Sequence, residues 1–268
     1  MAYEWIIDTL EETWDLTDRF LRPQPPAAYD APTACPGWSV RDVLSHLLGF
    51  ELLTSGHPVP AHEGEWPGHV KNPIGELNEA FVEAYRARPG LEVLDEYRVA
   101  RRASLEALRA LDDAAWDKVG WSPEGDRPYH RFMETRILDT WIHLQDVRDA
   151  LGEPREDPGS GAEVVLNRFE AALPWVVGKK VGAPDGTLVR VTLTGPRGRS
   201  VLIAVHDRRA EAVASSDAEP TLDLAVSTAL FWRRAAGRVS AEDFLAGCAV
   251  EGDAPMAREV AESLRMMI

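Results

Sequence analysis

Three residues in two separated segments have the types and spacing to hold one metal ion. His46 falls in CPGWSVRDVLSHLLGFE (35–51), and Asp139 and His143 fall in RFMETRILDTWIHLQDVRDALG (131–152). An aspartate and a histidine four residues apart share one face of a helix. A histidine from a second helix would complete two nitrogens and one oxygen. That count leaves a coordination position open, as catalytic rather than structural metal sites do.

Each residue also has a plainer reading. His46 shares a helical stripe with Val43, Leu47, Phe50 and Leu53, where a histidine is commonly a hydrogen-bonded core residue, with Asp42 one turn away as partner. Asp139, His143, Asp146 and Ala150 form a stripe that reads equally well as a solvated polar face with Arg136 and Arg148 nearby. Asp146 is either a partner fixing an imidazole tautomer or a surface residue. His57, His62 and His69 sit in a Pro/Gly-rich loop at spacings that match no ligand geometry. Cys35-Pro-Gly-Trp38 lacks the second cysteine of a redox motif and reads as a tight turn with Trp38 as a hydrophobic staple. Trp141, two residues before His143, is a candidate wall for a cofactor pocket. Arg238 follows the helix-ending stretch WRRAAG; it either complements that helix's dipole or grips a substrate carboxylate.

The elements that must position these groups divide the chain in two. Residues 3–21 have apolar positions at helical spacing, ended by Pro23-Gln24-Pro25-Pro26. Ser39 with Asp42 forms a capping-box pattern that opens a helix to about Ser55. Residues 57–72 read as a long loop. Helices are expected over 73–88 and 91–118, and from near His130 to Gly152. This all-helical half predicts an antiparallel bundle. After the linker-like EPREDPGSG (153–161) comes a helix over 162–178. LVRVTLT (188–194) and SVLIAVH (200–206) then flank Gly-Pro-Arg-Gly as a hairpin, and 219–225 is a further candidate strand. Ser227 and Asp253 are expected to cap two more helices.

Composition bounds the function. The chain has 268 residues, 45% hydrophobic and 27% charged, and a net charge of −15, which disfavours nucleic acid and anionic membranes as partners. Two cysteines, Cys35 and Cys248, make no disulfide framework and suit a reducing cytoplasm. No secretory signal or spanning segment is visible.

The segments PTACPGWSVRDVLSHL (32–47) and RILDTWIHLQDVR (136–148) resemble the mycothiol-dependent maleylpyruvate isomerase family, within the wider DinB/YfiT-like group of metal-binding four-helix bundles. The hairpin, Ala-Gly-Arg (236–238) and Val-Glu-Gly-Asp (250–253) resemble the sterol-carrier-like domain such proteins carry. The resemblance implies an α+β protein: a DinB-like four-helix bundle over 1–155 and a smaller sterol-carrier-like domain over 156–268. It implies a divalent metal, zinc by preference, on His46, Asp139 and His143, with mycothiol as cosubstrate. His46 and Arg238 would then serve catalysis, Arg238 by holding a substrate carboxylate. The implied activity is that of an isomerase or thiol S-transferase acting on a small electrophile in an actinobacterial cytoplasm. One position departs from the family: Asp139 stands where the isomerase pattern has Glu. A non-catalytic small-molecule or lipid-binding protein with a vestigial metal site is the alternative.

Overall fold

The computed structural model describes residues 2–154 and 159–267, and the chain divides into two compact units, Met1–Gly161 and Ala162–Ile268. The boundary expected between residues 155 and 156 lies outside the described residues.

In the first unit α1 (Glu4–Leu21), α2 (Val40–Thr54), α3 (Pro73–Tyr85), α4 (Gly90–Arg109), the short α5 (Asp113–Asp117) and α6 (Tyr129–Ala150) follow in order. A two-residue ladder pairs β1 (Val119–Gly120) with β2 (Arg127–Pro128) ahead of α6. Helix α2 packs on α3, α4 and α6, and α1 packs on α4 and α6. The expected helix over 91–118 is two helices, because Leu111 and Asp112 interrupt it and the Asp112 side chain accepts from Ala115 N to start α5.

Helix α2 begins where the sequence places it. Ser39 accepts from Asp42 N, and the Asp42 carboxylate accepts from Ser39 N at 2.9 Å, a complete capping box. Leu44, Leu47 and Leu48 are at most 1% exposed, and each contributes about 1.5–3 kcal/mol by leaving water. Gly49 lets α3 approach: a Cβ there would lie 2.4 Å from the Phe81 ring.

In the second unit α7 (Gly161–Trp175) passes into one wide turn of π-type helix, Val176–Val181, that ends on left-handed Gly182. A five-stranded sheet follows, with β3 (Leu188–Thr194), β4 (Arg199–His206), β5 (Arg209–Val213), β6 (Leu222–Ser227) and β7 (Ala249–Gly252) in the order β5-β4-β3-β6-β7. The expected hairpin is the antiparallel β3–β4 pair, whereas β6 runs parallel to β3. Helices α8 (Thr228–Ala235), α9 (Ala241–Ala246) and α10 (Ala254–Ser263) complete the unit, with Ser227 and Asp253 capping α8 and α10. Each unit follows the expected α+β reading, helices in the first and mixed helix and sheet in the second. Among the described residues no helix is long and apolar enough to cross a membrane.

Candidate metal centre

The CPGW segment folds as a turn in front of α2. Trp38 N donates to Cys35 O at 3.0 Å, and Gly37 takes a φ of +78°, a conformation that favours glycine. A Cβ on Gly37 would also lie 2.7 Å from the His69 ring. Trp38 leaves the turn as more than an apolar staple. Its indole N–H donates to Glu79 Oε2 at 2.8 Å, and its ring centroid lies 5.2 Å from that of His46.

Buried Glu79 collects three groups. Besides Trp38 it accepts from Arg86 Nη2 at 2.8 Å and pairs with His69 Nε2 at 3.0 Å; Arg86 Nε also reaches Asp42 at 3.3 Å. His62 pairs with Glu83 at 2.7 Å and stacks on Trp66 at 3.6 Å. The histidine-rich loop is therefore pinned to α3, and none of its histidines belongs to a metal-competent group among the described residues.

Helices α2 and α6 bring His46, Asp139 and His143 together. His46 Nε2 lies 3.2 and 3.4 Å from the two Asp139 oxygens, and His143 Nε2 lies 3.5 Å from Oδ1. One atom from each residue lies within 4.8 Å of the others. Tetrahedral bonds of about 2.0 Å would separate ligand atoms by roughly 3.3 Å, so the cluster has the size of a zinc-type site. The histidines are buried while the Asp139 side chain is 20% exposed, so the cluster is accessible on the carboxylate side.

The orientation of His143 fits the same use. Its Nδ1 lies 3.0 Å from Asp146 Oδ2, so a proton on Nδ1 donates to that carboxylate and Nε2, which faces Asp139 and His46, is the nitrogen left to hold either a proton or a cation. Asp146 is itself 2% exposed, which settles it as buried partner rather than surface residue. His46 is held differently: Trp38 and Phe50 flank its ring, and its buried Nδ1 has no hydrogen-bond partner among the described residues.

Cys35 joins from the turn. Its Sγ lies 3.3 Å from Asp146 Oδ2 and 3.8 Å from His143 Nδ1, so Cys35, His143 and Asp146 form a second group with metal-competent distances. The two groups would use opposite nitrogens of His143. In the Cys35 group the S–H and N–H both donate to one carboxylate, a set that is already satisfied. In the His46 group two imidazole nitrogens converge on a carboxylate.

Electrostatics support ionised Asp139 and neutral His46. Burial opposes ionisation of Asp139, but His46, His143 and Arg136 outweigh it and hold the carboxyl well below its ordinary range. Burial lowers His46. His143 is pushed up to about 10: burial works against this, but Cys35, Asp146 and Asp139 prevail. The cluster thus favours an added positive charge, which a proton or a cation can supply.

Other candidates lie elsewhere. Trp141 is buried on the opposite face of α6, in a position where its ring would touch a Cβ on Gly161; the tryptophan beside the cluster is Trp38. Arg238 belongs to the second unit, where its Nη1 donates to Ala236 O at 2.9 Å. The preceding Arg234 ties α8 to α10 through Ala261 O at 2.7 Å and Glu262 O at 3.1 Å. Arg136 and Arg148 are not on a solvated face. They are 3% and 6% exposed, and Arg136 forms an ion pair with buried Glu51. Cys35 had no sequence signal, since loop geometry brings it to α6.

A helical bundle with two histidines and a carboxylate converging between α2 and α6 defines a candidate metal-binding class. Residues 10–148 match the mycothiol maleylpyruvate isomerase N-terminal domain, and the chain belongs to that family. It is 30% identical over 151 residues to an uncharacterized protein of Mycobacterium tuberculosis, in both strain H37Rv and strain CDC 1551, covering 55% of this chain and 56% of that protein. The chain therefore spans little more than half the length of these curated relatives. It is similar to the crystal structures of the mycothiol-dependent maleylpyruvate isomerase and of a single-residue mutant of it. The TM-score is 0.60 in each case, at 17% identity over 96% of both chains, which shows a shared fold.

Proposed function

We propose that this chain is a metal-dependent enzyme that uses mycothiol as cosubstrate against a small electrophile, in an isomerase or S-transferase reaction. The convergence of His46, Asp139 and His143 at ligand spacing carries the proposal, and family membership supplies the thiol. His46 Nε2, one Asp139 oxygen and His143 Nε2 would hold the cation, zinc being the best match to two imidazoles and a carboxylate. A divalent cation there supplies the charge that ionises a coordinated thiol near neutral pH.

The chain's own residues orient and shield. Asp146 holds His143 in the ligating tautomer. The Trp38 ring, held by Glu79, lies beside His46 and His143 and would shield that side of the cluster. Arg238 is our candidate for gripping a carboxylate on the electrophile. The 1–155 and 156–268 division into DinB-like bundle and sterol-carrier-like domain belongs to the same proposal, as does a cytoplasmic setting.

The chain has no competing nucleophile of its own among its thiols. Cys35 is buried against Asp146, and burial pushes the Cys248 thiol up to about 11. Elemental analysis of the purified protein and of the His46→Ala, Asp139→Ala and His143→Ala variants tests the site. One equivalent of divalent metal in the parent and little in each folded variant is expected. Full occupancy in His46→Ala would remove the assignment.

A further inference from the structure

The two histidines of the centre are oriented by different means. His143 has a carboxylate partner, Asp146 Oδ2, 3.0 Å from its Nδ1. His46 has no such partner: its Nδ1 is buried without a hydrogen bond among the described residues. A histidine that ligates a metal through one nitrogen is ordinarily held by a hydrogen bond from the other. With Nε2 of His46 given to a cation, ring packing is what remains to orient this imidazole.

Two rings supply that packing. Phe50 meets the imidazole edge-on at 82°, with centroids 5.3 Å apart, and Trp38 lies at 5.2 Å, tilted by 37°. Both distances fall in the range of favourable aromatic pairs, roughly 4.5–7 Å. Phe50 stands on α2 one turn beyond His46 and moves with it. Trp38 comes from the turn before α2, so its position has to be fixed from outside that helix. Its indole N–H donates to Glu79 Oε2 at 2.8 Å. Glu79 is fully buried on α3; His69 Nε2 lies 3.0 Å from the same oxygen, and Arg86 Nη2 donates to Oε1 at 2.8 Å. A buried carboxylate engaged at both oxygens is a firm acceptor for the indole.

We propose that Glu79 is a positioning residue for the metal centre, acting through the Trp38 ring on His46. It does for His46, at one remove, what Asp146 does for His143 directly. The proposal rests on the reading of His46, Asp139 and His143 as metal ligands. Trp38 also lies 6.2 Å from the His143 ring, but His143 keeps its bond to Asp146 when the indole is released. Loss of the Glu79–Trp38 bond should therefore loosen one ligand of three, giving weaker and distorted metal binding rather than none.

Zinc affinity of the full-length protein is measured by competition with a chromophoric chelator, and coordination geometry is read from the visible spectrum of the cobalt-substituted protein. Folding of each metal-free variant is checked by circular dichroism. Glu79→Leu keeps the bulk without the acceptor and should weaken zinc binding about tenfold and change the cobalt spectrum. Glu79→Gln still offers the indole an oxygen and should stay within about threefold of the parent. Trp38→Phe keeps a ring without the N–H and should also cost about tenfold. On the Trp38→Phe background Glu79→Leu should change affinity by no more than about twofold, because the link it cuts is already gone. A Glu79 that only stabilises the fold would give the same loss on both backgrounds.

Parent-like affinity and cobalt spectrum in Glu79→Leu, or an undiminished loss on the Trp38→Phe background, would overturn the positioning role and leave the metal centre standing. If Glu79→Leu does not fold, Trp38→Phe decides alone, and parent-like affinity and spectrum there overturn the role. A parent protein that binds neither zinc nor cobalt would instead overturn the metal reading, and the positioning role with it.

Discussion

His143 Nδ1 and Asp146 Oδ2 lie 3.0 Å apart, one turn along the same helix, and this bond decides which imidazole nitrogen faces His46 and Asp139. Replacing Asp146 with Ala frees the ring to adopt either tautomer. Metal affinity should fall about 10–100-fold, as it does when partners behind histidine ligands are removed. Competition with a chromophoric chelator measures it, and an unchanged affinity would mean that packing alone orients His143.

Glu51 and Arg136 form an ion pair with both side chains at most 3% exposed. Glu51→Ala leaves the guanidinium buried without its counter-charge and should cost about 3–5 kcal/mol. Glu51→Ala with Arg136→Met should recover much of that, because neither charge then remains in the core. Urea unfolding of the three proteins checks the sign; a double variant less stable than Glu51→Ala contradicts it.

Acid should loosen the contact between the CPGW turn and α3. Burial would raise the Glu79 carboxyl, but bonds from His69, Trp38 and Arg86 hold it below its ordinary 4.5. A depressed folded-state value means that its stabilisation is full above about 4.5 and is lost as pH falls through the lower folded value. Unfolding free energy followed downward from pH 6 should therefore decline more steeply in the parent than in Glu79→Gln. Parallel curves would show that Glu79 takes no part in the acid response.

Native protein at pH 7 should resist alkylation by iodoacetamide at both cysteines. Cys35 is buried, and Cys248 is held up to about 11 by burial while its S–H donates to Phe244 O at 3.1 Å. Mass spectrometry should find both labelled only after denaturation. Rapid native labelling at Cys35 would give the chain a reactive thiol beside its candidate metal ligands.

The sequence made the local devices legible. The Ser39–Asp42 capping box, the β3–β4 turn and the cap residues Ser227 and Asp253 each depend on contacts within a few residues. Helical spacing puts Asp139 and His143 on one face, and the family resemblance of the two segments is what joins His46 to them as a candidate ligand. What could not be read depends on chain returns. Cys35 reaches Asp146 from 111 positions away, and Trp38 reaches Glu79 from 41. Arg136 looked solvated because its partner Glu51 lies on another helix. β5 and β7 were missed since edge strands bury one side at most and leave a weak alternation.

The most direct measurement is calorimetry of mycothiol binding to the protein as purified, after chelation, and after zinc is restored. The account predicts binding that disappears with the metal and returns with it. Thiol binding of equal strength in the metal-free protein, or none in the zinc-loaded one, would contradict it.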